Sequence, residues 1–201
     1  MTATHAAVVL AAGGSTRLGR PKQLLTRDGE TLVHRAARLA LASGATRVLV
    51  IVGAYADDVD AAVSDLAVEC LFNAQWNAGL AGSVRVAAAE LAAHDRATLL
   101  VTCDQPALEV VHLQALLEAA HHAPSGSAAT RLGDRVGIPA VVAPTLLRAA
   151  MAAQGDRGLR DALNAAGADV IACDAPDLAF DVDMPADVAS AVSRGWLDPL
   201  K

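Results

Sequence analysis

Three groups of residues in this chain have types and spacings that can do chemistry. The first is Leu10 to Leu25, LAAGGSTRLGRPKQLL, where Leu10, Ala11, Ala12, Gly13 and Gly14 lead into Ser15 and two cations, Arg17 and Lys22, set around Gly19. Small residues let backbone come close to a ligand. A glycine-rich turn with fixed cations suits a polyphosphate: N–H groups wrap the anion and the side chains neutralise the remaining charge. The second group is Cys103-Asp104-Gln105-Pro106 and the third is Phe180-Asp181-Val182-Asp183-Met184-Pro185-Ala186-Asp187. A carboxylate such as Asp104 at the open end of a buried strand is well placed for Mg²⁺, although a turn or helix-cap aspartate is the plainer reading. Asp181 and Asp183 alternate along one face of an extended segment, so either can point at a metal. Asp187 falls in the first turn of the following helix, a position for a dipole partner.

The first group is neither of the two familiar phosphate loops. The dinucleotide fingerprint needs Gly-x-Gly-x-x-Gly and an acidic residue about 20 positions on. Gly14 and Gly19 have P-loop spacing, but Arg20-Pro21-Lys22 follows where Lys-Ser/Thr is required. Pro21 also lacks a donor and biases Arg20 away from helix, which predicts a long open turn.

The elements that must hold these groups alternate strand and helix. Ala6 to Val9, Arg47 to Gly53 and Ala97 to Cys103 are continuous apolar runs that suit a sheet buried on both faces. Helical spacing marks Thr31 to Ser43, closed by Gly44, and predicts further helices over 57–66, 82–94, 109–121, 145–153, 159–166 and 185–194. Short strands are expected at 68–72, 127–130, near Val136, at 139–143 and at 170–173, with a turn at Gly133-Asp134. Repeated strand–helix units imply right-handed crossovers and a mainly parallel sheet, with ligands beyond the carboxyl ends of the strands. The first loop and Asp104 both fall at such ends.

The 201 residues suit one domain, 1–201, read as a nucleotide-binding half over about 1–106 and an acceptor-binding half over 107–201. With 54% hydrophobic but 2% aromatic residues, the core must be built from Ala, Val and Leu. A formal net charge of -6 without basic runs argues against nucleic acid as a partner. Cys70, Cys103 and Cys173 are odd in number and far apart, which predicts buried thiols rather than a disulfide or zinc site. The N-terminus lacks a positive n-region and its apolar run is short, so a first strand is expected rather than a signal peptide or membrane span, and the chain is expected to be cytoplasmic. The six histidines have no ligand spacing, and His121-His122 is expected to be a solvated helix end.

The first group resembles the opening motif of the nucleotidyltransferases of molybdenum-cofactor biosynthesis, the MobA-like family, in Gly13, Ser15, Arg17, Leu18, Gly19, Pro21 and Lys22. Ala12 before Gly13, and Gln23-Leu24-Leu25 after Lys22, are more similar to the CTP-using branch, the molybdenum cofactor cytidylyltransferases, than to the GTP-using branch. The resemblance extends over nearly the whole chain. It implies a Rossmann-like three-layer α/β/α fold with a mainly parallel, mixed central sheet, like that of nucleotide-diphospho-sugar transferases. It also implies Mg²⁺-dependent transfer of CMP from CTP to molybdopterin with release of pyrophosphate. On this resemblance Asp104 in its Asp-Gln-Pro triplet and Asp183 are the metal ligands, with Asp181 in reserve, and Arg17, Lys22 and Asp104 are the catalytic residues. Met184 stands where the family has threonine.

Asn73 to Val84, NAQWNAGLAGSV, matches a further family pattern at Asn73, Trp76, Gly79, Leu80, Ser83 and Val84. That likeness puts Gly79 and Ser83 at the nucleotide with Leu10 to Gly14; a plain loop anchored by Trp76 is the alternative. Gly137-Ile138-Pro139 and Gly155-Asp156-Arg157-Gly158-Leu159-Arg160 resemble acceptor motifs, which implies acceptor contacts from Gln105, Pro139, Gly155, Asp156 and Arg160. A Gly-Asp turn before a helix also has a capping explanation. A phosphate-monoester acceptor is largely anionic at neutral pH and needs no general base, which agrees with a chain that has no Ser-His-Asp or Cys-His grouping.

Four other readings stay open at this point. They are a guanylyltransferase, another cytidylyltransferase acting on a phosphorylated small molecule, a cofactor chaperone that delivers molybdopterin to a molybdenum hydroxylase without catalysis, and a nicotinamide oxidoreductase. The four-residue set Arg17, Lys22, Asp104 and Asp183 speaks against a pure carrier. The missing dinucleotide fingerprint speaks against the oxidoreductase.

Overall fold

The computed structural model describes residues 4–152, 158–165 and 169–200. The strands are β1 (Ala6–Leu10), β2 (Thr26–Arg27), β3 (Glu30–Thr31), β4 (Arg47–Val52), β5 (Glu69–Phe72), β6 (Thr98–Thr102), β7 (Ala128–Leu132), β8 (Arg135–Val142) and β9 (Ile171–Asp174). The helices are α1 (Leu32–Ala42), α2 (Ala56–Ala62), α3 (Leu80–Glu90), α4 (Val110–His122), α5 (Pro144–Ala152), α6 (Gly158–Ala165) and α7 (Pro185–Ser193). Seven strands form one sheet in the order β5-β4-β1-β6-β8-β7-β9, and β2 and β3 pair as a separate two-residue hairpin. β5, β4, β1 and β6 are parallel. β8 runs antiparallel to both β6 and β7, and β9 is parallel to β7. This is the mixed, mainly parallel sheet expected from the sequence.

Strand alternation divides the core into two layers. Ala7, Val9, Val48, Val50, Leu99 and Val101 pack against Val33, Ala36 and Leu39 of α1, Val59 of α2 and Leu113 and Leu116 of α4. Ala6, Val8, Leu10, Leu49, Ile51 and Leu100 pack against Val84 and Ala87 of α3, Leu147 of α5 and Leu159 and Leu163 of α6. The result is helix, sheet, helix. β1 lies inside the sheet between β4 and β6, every residue from Ala6 to Val9 being 0% exposed. Such a strand reads as an unbroken apolar run because both of its faces are covered.

Several element boundaries differ from the sequence reading. Strands expected near Val136 and at 139–143 are one strand, β8, which passes through a cis Ile138–Pro139 bond. The helix expected over 57–66 ends at Ala62, followed by turns through Leu66. The helix expected at 82–94 begins at Leu80 and ends at Glu90. The β2–β3 hairpin, too short to show a period, turns on Asp28 and Gly29 at φ 56° and 78°, the left-handed pair of a tight hairpin turn.

A third apolar cluster lies outside the two layers. Leu18, Leu25 and Leu32 meet Val182, Val188, Ala191 and Leu197. It fastens the loop after β1 to the chain's last elements. Asp198 reinforces it by accepting from the amides of Asp28 and Gly29 and donating its own amide to Thr26 O.

Candidate active site

The first part of the loop after β1 is held by hydrogen bonds to the carbonyls of Ala11, Ala12, Gly13, Gly14 and Ser15. Gln23 Nε2 donates to Ala11 O (2.9 Å) and Gly13 O (2.6 Å). Ala54 N donates to Ala12 O at 3.1 Å, and Tyr55 Oη donates to Gly14 O at 3.2 Å. Ser15 O accepts from the amides of Leu18 and Gly19. Ser15 Oγ donates to Gln23 Oε1 and accepts from the Lys22 amide. Among the described residues no protein acceptor meets the amides of Gly13 and Gly14, and Gly13 is exposed. Backbone amides left without acceptors beside carbonyls that are already paired are donors of the kind that suit an anion.

Close packing beneath the loop explains its small residues. A Cβ on Gly14 would lie 2.7 Å from Trp76 Cζ3. A Cβ on Gly53, at the end of β4, would lie 2.5 Å from Trp76 Cβ and 2.6 Å from Ala12 O. Neither clash can be relieved without moving the loop or the indole, so both positions need glycine. The long turn ends in a 3₁₀ turn, Lys22–Leu24, which begins immediately after Pro21, where the fixed φ of proline suits a helix start.

The two cations of the loop face two carboxylates. Lys22 Nζ donates to Asp104 Oδ2 (2.6 Å) and to Asp183 Oδ1 (2.8 Å), and Arg17 Nη2 donates to Asp183 Oδ2 (2.7 Å). Asp104 follows β6, and the chain after it is pinned by Val182 N donating to Asp104 O at 2.9 Å. That bond brings the Asp181–Asp183 segment to the strand end. Asp187 then fixes it, since Oδ2 accepts from the amides of Asp183 and Met184. Burial opposes the charge on Lys22, yet Asp104 and then Asp183 outweigh it and raise its pKa. Burial likewise opposes the charge of Asp183, yet Lys22 and then Arg17 hold its carboxyl below the usual carboxylate range. Asp181 keeps an exposed face, but desolvation by the protein around its carboxyl and then the like charge of Asp104 push it up to about 6.

The structure therefore brings Arg17, Lys22, Asp104 and Asp183 into one ionic cluster, and of the two alternating aspartates it is Asp183 that meets the cations. Other residues singled out from the sequence take no part in the ion pairs of this cluster. Ser83 is buried, and its hydroxyl accepts from Asn73 Nδ2 at 3.1 Å. Gly79 precedes α3 at φ 95°. The side chain of Gln105 is committed within the protein, with Nε2 donating to Leu178 O and Ile138 O and Oε1 accepting from Thr102 Oγ1. Pro139 is buried in β8, and its carbonyl accepts from Thr130 Oγ1. Arg160 is exposed on α6, whereas Gly155 and Asp156 lie outside the described residues. His121 and His122 are exposed at the end of α4, as expected. Cys103 is buried, and burial and then the Asp104 charge push its thiol up to about 12, so it is a packing group and no nucleophile. Cys70 and Cys173, expected to be buried, are half-buried and free. Gln23, Gly53 and Tyr55 were not legible as loop partners, because nothing in their spacing marks them.

Among the described residues no three or more His, Cys, Asp or Glu side chains cluster as a closed metal cage. The donor set is a pair of carboxylates sharing one ammonium, so their oxygens lie less than two hydrogen-bond lengths apart. Two carboxylates, with the remaining positions left to water and phosphate oxygens, is how Mg²⁺ is ordinarily held at nucleotide sites. The residues present fit such an ion.

Residues 7–170 match the family described as the MobA-like NTP transferase domain. The chain belongs to that family. Membership makes it a nucleotidyltransferase by class, with a nucleoside triphosphate as substrate and a divalent metal as the usual accompaniment. The matched span holds the loop and Asp104, while Asp181 and Asp183 come from the chain after it. The chain is 37% identical over 161 residues to a protein named nicotine blue oxidoreductase from Paenarthrobacter nicotinovorans, covering 76% of this chain and 78% of the relative. Among solved structures it is similar to Rv0371c from Mycobacterium tuberculosis H37Rv, with a TM-score of 0.82 and 25% identity over 96% of this chain and 100% of the other. A manganese complex of that mycobacterial protein aligns with a TM-score of 0.73 and 25% identity over 94% of this chain and 98% of the other. Among the described residues no helix is long and apolar enough to cross a membrane.

Proposed function

We propose that this protein transfers CMP from CTP to the phosphate of molybdopterin, the organic part of the molybdenum cofactor, and releases pyrophosphate, with Mg²⁺ as the metal. The observation that carries the proposal is the direct meeting of Lys22 and Arg17, from the loop after β1, with Asp104 and Asp183 at the end of β6. The family supplies the nucleoside triphosphate. Ala12 and Gln23-Leu24-Leu25 supply the preference for CTP, through their likeness to the CTP-using branch.

In this reading the free amides of Gly13 and Gly14 bind phosphate oxygens. Lys22 and Arg17 exchange their carboxylate partners for the β- and γ-phosphates and neutralise the departing pyrophosphate. Asp104 and Asp183 would hold Mg²⁺. When bound, the ion supplies Lewis-acid charge that draws electrons from the α-phosphorus. An oxygen of the acceptor's phosphate forms the new bond to that phosphorus as the bond to the β-phosphate oxygen breaks. The acceptor is already anionic, so no side chain needs to remove a proton. Positioning and charge neutralisation carry the rate.

The test is pyrophosphate release with CTP and with GTP, each with and without molybdopterin. Release that needs both CTP and the acceptor supports the proposal, GTP dependence moves the chain to the guanylyl branch, and no release with either nucleotide rejects it. The name of the Paenarthrobacter relative favours a second reading, in which the same loop holds a phosphate-bearing redox cofactor and the chain carries out an oxidoreduction. Loss of reduced-nicotinamide absorbance in the presence of an oxidised pigment, without pyrophosphate release, would select it.

A further inference from the structure

We infer that Gln23 is a positioning residue that sets the direction of the loop's amides, and so decides how tightly the site holds a polyphosphate. The inference rests on the nucleotide reading above and concerns a residue that touches no ligand in that reading. Gln23 is 1% exposed although its side chain is polar. An amide buried that deeply must spend its donors and acceptor inside the protein. Both Nε2 protons go to the loop's own carbonyls, Ala11 O and Gly13 O, and Oε1 takes the Ser15 hydroxyl.

Peptide geometry turns those bonds into a ligand effect. In a planar trans peptide the N–H of one residue points opposite to the C=O of the residue before it. The loop's peptides are trans, the cis bond among the described residues being Ile138–Pro139. With Ala11 O and Gly13 O drawn in to Gln23, the amides of Ala12 and Gly14 are driven to the other face. Ala54 N on Ala12 O and Tyr55 Oη on Gly14 O do the same for the amides of Gly13 and Ser15. Gln23 thus supplies two of the four bonds that hold carbonyls 11–14 away from the anion. An anion facing carbonyl oxygens would be repelled, so a loop free to flip its peptides loses affinity even when every residue touching the phosphates is intact. Ser15 completes the link. Its hydroxyl joins Gln23 Oε1 to the Lys22 amide, so the same side chain fixes where the Lys22 stem begins.

Gln23→Glu keeps the shape and loses both donors, while Gln23→Met keeps the volume and loses all polar contacts. Tyr55→Phe removes one bond from the same set and leaves the ring to pack, so it remains informative if the Gln23 variants fold poorly. The measurement is calorimetric binding of CTP and of inorganic triphosphate to each folded full-length variant, with thermal melting as a separate readout. The expected result is a Kd for both anions raised about 10-fold or more in Gln23→Glu and Gln23→Met, and about 3-fold in Tyr55→Phe. In turnover the KM for CTP should rise with the KM for the acceptor unchanged. Unchanged anion affinity in well-folded Gln23 variants, or in Tyr55→Phe where the former do not fold, overturns the inference even if melting temperatures drop, because that is the signature of a merely structural residue. A wild-type protein that binds neither anion overturns the nucleotide reading itself, and this inference with it.

Discussion

Two ionic clusters of similar composition sit at different places in this molecule, and only one of them faces the glycine loop. Lys22 and Arg17 meet Asp104 and Asp183 across sequence separations of 82, 161 and 166 residues. Glu30 meets His34 and Arg38 across 4 and 8 residues, and His34 reaches Asp65 across 31. Within the second cluster the Glu30, His34 and Arg38 contacts follow from helix geometry, since residues one and two turns apart share a face of α1 and its lead-in, and Asp65 joins them from the turns after α2. Its charges are matched within the protein: hydrogen bonding to Arg38 leads the effects that bring Glu30 down to about 2, and burial opposes them. The first cluster cannot arise from local spacing. It pairs loop cations with strand-end carboxylates, beside amides that have no acceptor. The contrast teaches that charge pairs built by one helix stabilise that helix, whereas those assembled from remote segments around free backbone donors are where a ligand can enter.

Asp104→Asn should break the comparison most severely. In the proposed reaction it should cut pyrophosphate release by at least about 100-fold, and Asp183→Asn should do nearly the same, with melting temperatures close to wild type. Substituting either residue with activity intact would demote the first cluster to the rank of the second. Lys22→Met should come next, lowering kcat/KM by about 100-fold. A thermal shift of this variant by Mn²⁺ alone should exceed that of wild type, because the carboxylates lose their competing ammonium.

Leu25→Ala tests the packing that holds the first cluster in place. Leu25 is 6% exposed between the loop and the C-terminal elements. Its truncation should cost about 2–4 kcal/mol in denaturant unfolding, and should weaken CTP binding more than an equal loss taken from Leu113 of α4.

Glu30→Gln sharpens the other side. It should leave turnover unchanged and cost about 1 kcal/mol near pH 6. The pH dependence has two arms. Glu30 has a depressed pKa, so its contribution is full above the ordinary carboxylate value of 4.5 and fades as pH falls toward about 2. For His34, burial lowers the pKa but Glu30 and Asp65 outweigh it, so the net shift is upward from 6.5. Its contribution is full below 6.5 and fades as pH rises past the raised value. The melting-temperature gap between wild type and Glu30→Gln should be widest between those limits. A gap that is flat across pH would show that the cluster contributes packing alone.

Much of this architecture was legible beforehand, and the reasons are local. β1, β4 and β6 announce themselves because a strand buried on both faces must be apolar at every position. α1 is marked by its period, its Thr31 cap on the His34 amide and Gly44 at φ 89°. The glycine loop stands out because small residues and two cations, Arg17 and Lys22, follow directly on the apolar run of β1. The site was legible only in part. Asp181 and Asp183 are equivalent by alternation, and the choice between them depends on the amides of Val182 and Asp183 being held by Asp104 O and Asp187. The family resemblance put Gln105 at the acceptor, and in the structure its amide donates to Leu178 O and Ile138 O.

By itself, the sequence determined most of the strands and helices, the cationic loop and the candidate carboxylates, because period, capping and turn chemistry act over a few residues. The tertiary structure alone decided which aspartate meets Lys22, that Gln23 turns inward to the loop's carbonyls, and that Leu18 and Leu25 rest on Val182 and Leu197. Those contacts join segments more than a hundred residues apart or depend on which way one side chain turns, and only strand order and close packing can set them.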